Sequence, residues 1–227
     1  MKIYVKNVYG EQRALKHEKS EEHTRVKILF LSNNIEVTNP LYLWLCEVEG
    51  TDNVSVWEAP LDAELFENVL KDFNFIISYN YQHIVKQSVI SLFPNRIINL
   101  HISLLPWNRG ISPNLWSVID DTPKGVTIHL IDDGVDTGDI LIQQQLFLDD
   151  STETLASSYQ KLHKAMLELF VRNWSLIKQN KIIPKKQNSC HTRKETENVL
   201  KQYDIKWDDS ILSIRKKISL FNQHTLI

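Results

Sequence analysis

Asn99 and His101 stand two residues apart in an otherwise apolar run, RIINLHIS at 96–103. In a strand, residues i and i+2 point to the same face. An amide and an imidazole can therefore meet one reacting centre if the strand ends at a ligand crevice. Each is also readable as a buried polar group with its hydrogen bonds satisfied. Two features favour chemistry. The pair precedes a Pro-containing loop, and a second polar cluster, IDDGVDTGD at 131–139, also follows an apolar run. There Gly134 and Gly138 permit tight backbone with positive φ. Asp132, Asp133, Asp136 and Asp139 offer carboxylates. An acidic, glycine-bearing loop can bind calcium, but this one lacks the twelve-residue spacing and terminal Glu of a calcium hand, so no metal is expected. An Asp–His partnership is the sharper reading, because a carboxylate beside an imidazole favours the imidazolium and fixes its orientation.

These groups need elements to hold them. VKILFLS at 26–32, VSVW at 54–57, FIISY at 75–79, RIINLHIS at 96–103, GVTIHLI at 125–131 and DILIQQQLF at 139–147 read as strands. PLYLWLCEVE at 40–49 has near-helical apolar spacing, with Pro40 suited to a first turn. A second helix is predicted over 61–72, on Leu61, Leu65, Val69 and Leu70. The alternation argues for an open α/β sheet, mainly parallel, with ligands outside the carboxyl ends of its strands. From Asp150 the period changes. Asp150 and Glu153 resemble a capping box, followed by helical spacing from Leu155 to about residue 180. A basic connector at 181–194 contains Pro184 as a breaker, and 195–221 reads as helix with a turn near 204–210. Residues 1–24 form a polar extension, with MKIYVKNVY as a local strand; 25–180 form the main domain and 181–227 a C-terminal helical or hairpin appendage.

Composition sets outer bounds. With 227 residues, 42% hydrophobic and 24% charged, the chain can build one sizeable core. Cys46 and Cys190 follow no ligand spacing and read as free thiols in a reducing compartment. No apolar run predicts a transmembrane helix, and the charged N-terminus does not resemble a secretory signal, which implies a cytoplasmic address and no membrane partner. The net charge of −2 is unevenly spread. Residues 1–150 hold 12 Lys and Arg against 21 Asp and Glu, and residues 151–227 hold 14 against 7. The basic half is either a solvated surface or suited to an anionic ligand such as a nucleotide diphosphate.

NLHISLLPWNRG followed by KGVTIHLIDDGVDTGDIL resembles the 10-formyltetrahydrofolate-dependent formyltransferases. The matching elements are Asn99-Leu100-His101, Ser103-Leu104-Leu105-Pro106, Gly125-Val126-Thr127-Ile128-His129 and Asp136-Thr137-Gly138, and the likeness covers about residues 26 to 180. The resemblance implies a Rossmann-like formyltransferase core with Asn99, His101 and Asp136 as its catalytic group. Asp139 falls one residue beyond the motif, and His129 reads as structural. The co-substrate implied is 10-formyltetrahydrofolate, lying along Ser78, Tyr79, Asn80, Tyr81 and Ile84, with Asp132 towards the pterin. Formyl transfer to an amine passes through a tetrahedral oxyanion. An Asn99 N–H would stabilise that charge, and His101 would accept the amine proton or assist the oxyanion as imidazolium. Asp136 would orient His101.

Trp107-Asn108-Arg109-Gly110 and Pro113-Asn114-Leu115-Trp116 are similar to segments of the short sugar N-formyltransferases, which act on dTDP-linked 3- or 4-amino dideoxysugars. That resemblance makes Trp107, Asn108, Arg109, Asn114 and Trp116 candidates for the acceptor side, with Arg109 suited to a pyrophosphate. It also implies a homodimer formed through C-terminal elements, in which Trp207, Ile211, Leu212, Ile214, Ile218 and Leu220 either cover the domain or pair two subunits. Methionyl-tRNA formyltransferase shares the core motifs but carries a larger C-terminal module than the roughly 45 residues here would supply, so nucleic acid is a lesser expectation. The core motifs also fit glycinamide ribonucleotide formyltransferase, whose chain is shorter, and a non-catalytic protein that binds folate or nucleotide.

Overall fold

The run ILFL is buried on both faces, which suits a strand inside a sheet covered on two sides. In a computed structural model of the chain, which describes residues 25–65, 69–188, 192–193 and 197–225, this run is β1 (Ile28–Leu31). There follow α1 (Ile35–Glu49), β2 (Val54–Trp57), β3 (Phe75–Ser78), the single turn α2 (Gln87–Ile90), β4 (Ile97–His101) and the short β5 (Arg109–Gly110). Next come α3 (Pro113–Ile119), β6 (Lys124–Leu130), β7 (Ile140–Leu146), α4 (Leu155–Lys178), β8 (Thr192–Arg193), α5 (Glu197–Gln202) and α6 (Ile211–Thr225). Six strands form one sheet in the order β2-β1-β3-β4-β6-β7, and β5 pairs with β8 in a separate ladder. β2, β1, β3 and β4 run parallel, while β6 and β7 are antiparallel to their neighbours. The architecture is a Rossmann-like, mostly parallel α/β sheet.

Strand periodicity sorts the core. Ile28, Phe30, Phe75, Ile77, Ile98 and Leu100 pack against α1 and α4. Leu29, Leu31, Ile76 and Ile97 face the opposite side with Val85, Val89 and Phe93. Each such fully buried side chain is worth about 1.5–3 kcal/mol relative to exposure. On β4 the second face continues from Ile97 to Asn99 and His101. Apolar cover thus gives way to polar groups towards the strand's carboxyl end. At the opposite end of the sheet, Glu49 is fully buried. Its carboxylate accepts from Trp174 Nε1 and Lys178 Nζ, both at 2.7 Å, and from the Val26 N–H at 3.0 Å. That set ties α1, α4 and the entry to β1 together.

Three local expectations are corrected. α1 starts at Ile35, with Asn34 accepting from the Val37 N–H, so Pro40 lies inside the helix on its exposed face. Instead of a helix over 61–72, the described parts are 3-10 turns at Ala63–Leu65 and Leu70–Asp72. Asp62 Oδ1 accepts from the Glu64 N–H at 3.2 Å, which caps the first of these turns. The cap of α4 is Thr154, paired reciprocally with Ser157. Glu153 bonds Ser157 and Lys161 instead, and Asp150 holds Arg215 at 2.8 Å. Of the two roles left open for the C-terminal segment, part of it covers the sheet domain: Ile205, Ile211 and Ile214 are buried with Leu115, Val118 and Leu155, while Leu212 and Leu220 are exposed. Among the described residues no helix is long and apolar enough to cross a membrane. Cys46 is a free thiol; Cys190 and the strand expected near the N-terminus lie outside the described residues.

Candidate active site

The antiparallel register between β4 and β6 sets Asn99 directly opposite His129. Residues opposite each other in such a pair share a face. Asn99 Nδ2 lies 3.2 Å from His129 Nε2. His129 Nδ1 sits 2.7 Å from the Leu130 carbonyl, which can only accept, so the ring proton is on Nδ1 and Nε2 accepts. The same amide nitrogen donates to Asp136 Oδ1 at 3.0 Å. Both acceptors thereby fix which way the amide faces. A register shift in β6 falls between Ile128 and His129, and a bulge of this kind re-aims the side chains beside it.

Asp136 reaches this point from the loop after β6. Its backbone is left-handed, with φ 54. At Gly138 a Cβ would lie 1.8 Å from the Leu130 carbonyl oxygen, so only glycine lets the loop return so close to its strand. Asp136 Oδ2 accepts from the Gly110 N–H at 2.8 Å and lies 3.5 Å from His101 Nδ1. His101 Nε2 donates to the Asn108 carbonyl at 3.0 Å, which assigns the neutral ring's proton to Nε2 and leaves Nδ1 as the basic atom. Burial pushes the His101 imidazole below its ordinary pKa, against the pull of the Asp136 charge. Burial would raise Asp136, but His101, His129 and the Gly110 N–H together hold its carboxyl well below the usual range. Asp136 is therefore an ionised acceptor beside an imidazole whose Nδ1 can take a proton.

These groups line a cleft of about 800 Å³ at the carboxyl ends of the parallel strands, within the usual size range of a small-molecule site. Asn99, His101 and Asp136 share its wall with Ser78, Asn80, Tyr81, Ile84 and Asp132. One carboxylate oxygen of Asp132 is tied within its own loop, by the Gly134 N–H at 3.1 Å and the Thr137 hydroxyl at 2.5 Å. Tyr79 does not line the cleft. It is buried, and its hydroxyl is hydrogen-bonded to His163 Nδ1 at 2.5 Å.

The acceptor-side candidates are differently placed. Trp107 is 44% exposed and lies off the cleft. Asn108 is buried with its amide bonded both ways to the Thr122 hydroxyl, at 2.9 and 2.8 Å. Arg109 is buried and donates through Nε and Nη2 to Gln187 Oε1, at 3.1 and 2.7 Å, and through Nη2 to the Asn188 carbonyl at 2.8 Å. Asn114 borders the cleft, but its amide joins the Leu155 carbonyl at 3.0 Å and the Ser158 hydroxyl at 3.1 Å. Trp116 is not among the lining residues. A common physical reason applies to the polar three: internal partners already satisfy their hydrogen bonds, and a buried group so satisfied gains nothing by turning outward. The cleft instead takes Tyr159 from α4, and Leu200 and Trp207 from the C-terminal segment. Trp207 is 51% exposed and packs edge-on against Tyr159 at 5.5 Å. Neither Leu200 nor Tyr159 carries a spacing that marks it as a site residue, and an exposed tryptophan is the only clue for Trp207.

The loop motif between the two site strands has a structural role. Thr127 donates to the Ser103 carbonyl at 2.7 Å and accepts from the Leu105 N–H at 3.1 Å. Ser103 caps the Trp107 carbonyl at 2.8 Å. Residues 103–106 and 125–129 thus anchor each other and set the exit from β4.

Comparison with known proteins agrees with this architecture. The formyltransferase PseJ from Anoxybacillus kamchatkensis, solved with UDP-4,6-dideoxy-4-formamido-L-AltNAc and tetrahydrofolate, is 34% identical, with a TM-score of 0.72 over 84% of this chain and 98% of that one. An N-formyltransferase from Helicobacter canadensis, solved with folinic acid and dTDP-3-aminofucose, has the same fold at 24% identity, with a TM-score of 0.63 over 86% of this chain and 80% of that one. The methionyl-tRNA formyltransferase of Clostridium novyi is 30% identical over 87% of this chain and 59% of that one. That of Prochlorococcus marinus is 30% identical over 68% and 50%, so the chain spans about half the length of the curated relatives it matches. The sequence model of the family described as formyl transferase matches residues 13–173, a stretch that contains β4, β6 and the Asp136 loop, and the chain belongs to that family.

Proposed function

We propose that this protein is an N-formyltransferase, moving the formyl group of 10-formyltetrahydrofolate to the amino group of a nucleotide-linked 3- or 4-amino sugar. The observation that carries the reading is the cluster of Asn99, His101 and Asp136 on the wall of one cleft. The identity to PseJ over nearly all of that protein's length supports the acceptor class. The cleft also suits a folate. Ile84, Val85 and Ile131 offer apolar wall for a flat heterocycle, and the polar groups of Ser78 and Asn80 lie beside them.

In the reaction the amine nitrogen bonds to the formyl carbon, and the bond from that carbon to N10 breaks. One proton leaves the amine, and N10 of the departing tetrahydrofolate gains one. His101 Nδ1 is the atom to receive the amine proton, because Nε2 is committed to the Asn108 carbonyl. The imidazolium so formed faces the ionised Asp136. The two acceptors of the Asn99 amide lie 3.6 Å apart, so one N–H can be shared between them and the other offered to the oxygen that gains charge. Loss of such a donor typically costs about 10²–10³-fold in rate.

The test is incubation with 10-formyltetrahydrofolate and a panel of UDP- and dTDP-linked 3- and 4-amino sugars, scored by mass for addition of one formyl group. Methionyl-tRNA is included, because the curated relatives and the basic residues 151–227 favour it as a second reading. Formylation of a sugar nucleotide supports the proposal. Formylation of the tRNA alone replaces it with the second reading, and no transfer to either removes both.

A further inference from the structure

Gln187 lies in the connector after α4, beyond residue 173 where the family match ends. Its partners each have only one hydrogen-bonding sense. A guanidinium only donates, so the atom receiving Arg109 Nε and Nη2 is Oε1. Backbone carbonyls only accept, so Nε2 supplies the bonds to Asp136 at 3.0 Å and to Gly138 at 2.6 Å. The amide orientation is thus settled by chemistry. Its N–H groups grip the loop on both sides of Thr137, at the residue whose backbone is left-handed. A non-glycine residue keeps that conformation only where its surroundings hold it.

The same connector braces the other side of the carboxylate. Thr192 and Arg193 pair in parallel with Arg109 and Gly110, and it is the Gly110 N–H that donates to Asp136 Oδ2. The backbone of Asp136 and the strand that holds its side chain therefore rest on one segment. We propose that Gln187 is a positioning residue for Asp136, holding the loop so that the carboxylate stays between the Gly110 N–H and the imidazoles of His101 and His129. The importance of this for turnover rests on the formyl-transfer reading; the positioning itself does not.

The consequence is electrostatic as well as geometric. Asp136 is the anion facing His101, His129 is the other titratable group near it, and the Asn108 carbonyl holds its remaining nitrogen. If the carboxylate drifts away, the imidazolium loses its stabilising charge and the ring becomes harder to protonate.

Two variants test this. Gln187→Ala removes every contact. Gln187→Glu keeps an acceptor for Arg109 but has no N–H for the two carbonyls. In each, the His101 titration is followed by NMR, with its signal assigned from His101→Asn and Asp136→Asn as the reference for a lost charge. Both Gln187 variants should shift His101 to lower pKa, in the direction of Asp136→Asn. They should also lower kcat about tenfold to a hundredfold, the scale of a small misplacement, with KM for the amine little changed and the acid limb of the rate moved to lower pH. An unchanged His101 titration in folded Gln187→Glu overturns the proposal. So does a loss of activity that tracks melting temperature alone, which would mark Gln187 as merely structural. If Gln187→Ala does not fold, Gln187→Glu decides. If the wild-type protein transfers no formyl group, the functional reading fails, while the titration still decides the positioning.

Discussion

Two carboxylates sit at opposite ends of the parallel strands, and their partners differ in kind. Glu49, at the amino ends, is fully buried against Lys178, Trp174 and the Val26 N–H. Its counter-charge is a lysine, so the set is closed. Asp136, at the carboxyl ends, keeps 13% of its side chain exposed and faces two imidazoles and an amide. Those partners can change protonation or bond a ligand. Burial and hydrogen bonding alone do not separate a closed carboxylate set from one open to a ligand. What separates them is whether the partners can respond to a ligand or a proton.

The most severe way to break this contrast is at the cleft. His101→Ala and Asn99→Ala should each lower kcat about 10²–10³-fold or more, with the protein still folded. Turnover near wild type in either variant would remove the distinction drawn for Asp136 and its neighbours. Glu49→Ala should do the reverse. It leaves Lys178 buried without its partner, a change that typically costs about 3–5 kcal/mol. Denaturant unfolding should show that loss, while kcat of the protein still folded stays at the wild-type value. A drop in kcat at full folding would couple the two ends of the sheet.

A third test uses a partly buried imidazole that neither carboxylate touches. Burial pushes His163 down to about 4. Its free-chain value is near 6.5, so between pH 6.5 and 4 the unfolded chain binds the proton and the folded protein does not. Stability therefore falls as pH drops through that window, by about 3 kcal/mol across it. His163→Phe should flatten that part of the pH–stability curve measured by denaturant melts. The same fall in the variant would mean that other groups cause it. The activity profile should be distinct: because His101 is also held below its ordinary value, its acid limb should lie below pH 6.5 and persist in His163→Phe.

Much of the sheet was legible because period two and the dense apolar runs leave few alternatives. The six strands read from 26–32, 54–57, 75–79, 96–103, 125–131 and 139–147 all occur; β2 keeps its bounds, β6 begins one residue earlier, and the others are trimmed at their ends. The capping of α4 was not legible. The cap expected at Asp150 is instead Thr154, through its reciprocal bonds with Ser157, while Asp150 holds Arg215. The partners of the polar residues at 107–116 were not legible for a related reason. Asn108, Arg109 and Asn114 are residue types suited to a nucleotide, but their partners arrive from Thr122, Gln187 and Leu155. No local pattern announces a bond between residues 78 positions apart.

By itself, the sequence determined the strands, the shared face of Asn99 and His101, and the presence of an acidic turn with the glycine it needs. These follow from alternation along a strand and from backbone sterics, which act within a few residues. The tertiary structure alone decided that Asn99 faces His129, that Asp136 meets His101, and that Gln187 braces them while Arg109 turns inward. Those outcomes depend on strand register and on which distant donor satisfies which acceptor, quantities that exist only once the chain has closed on itself.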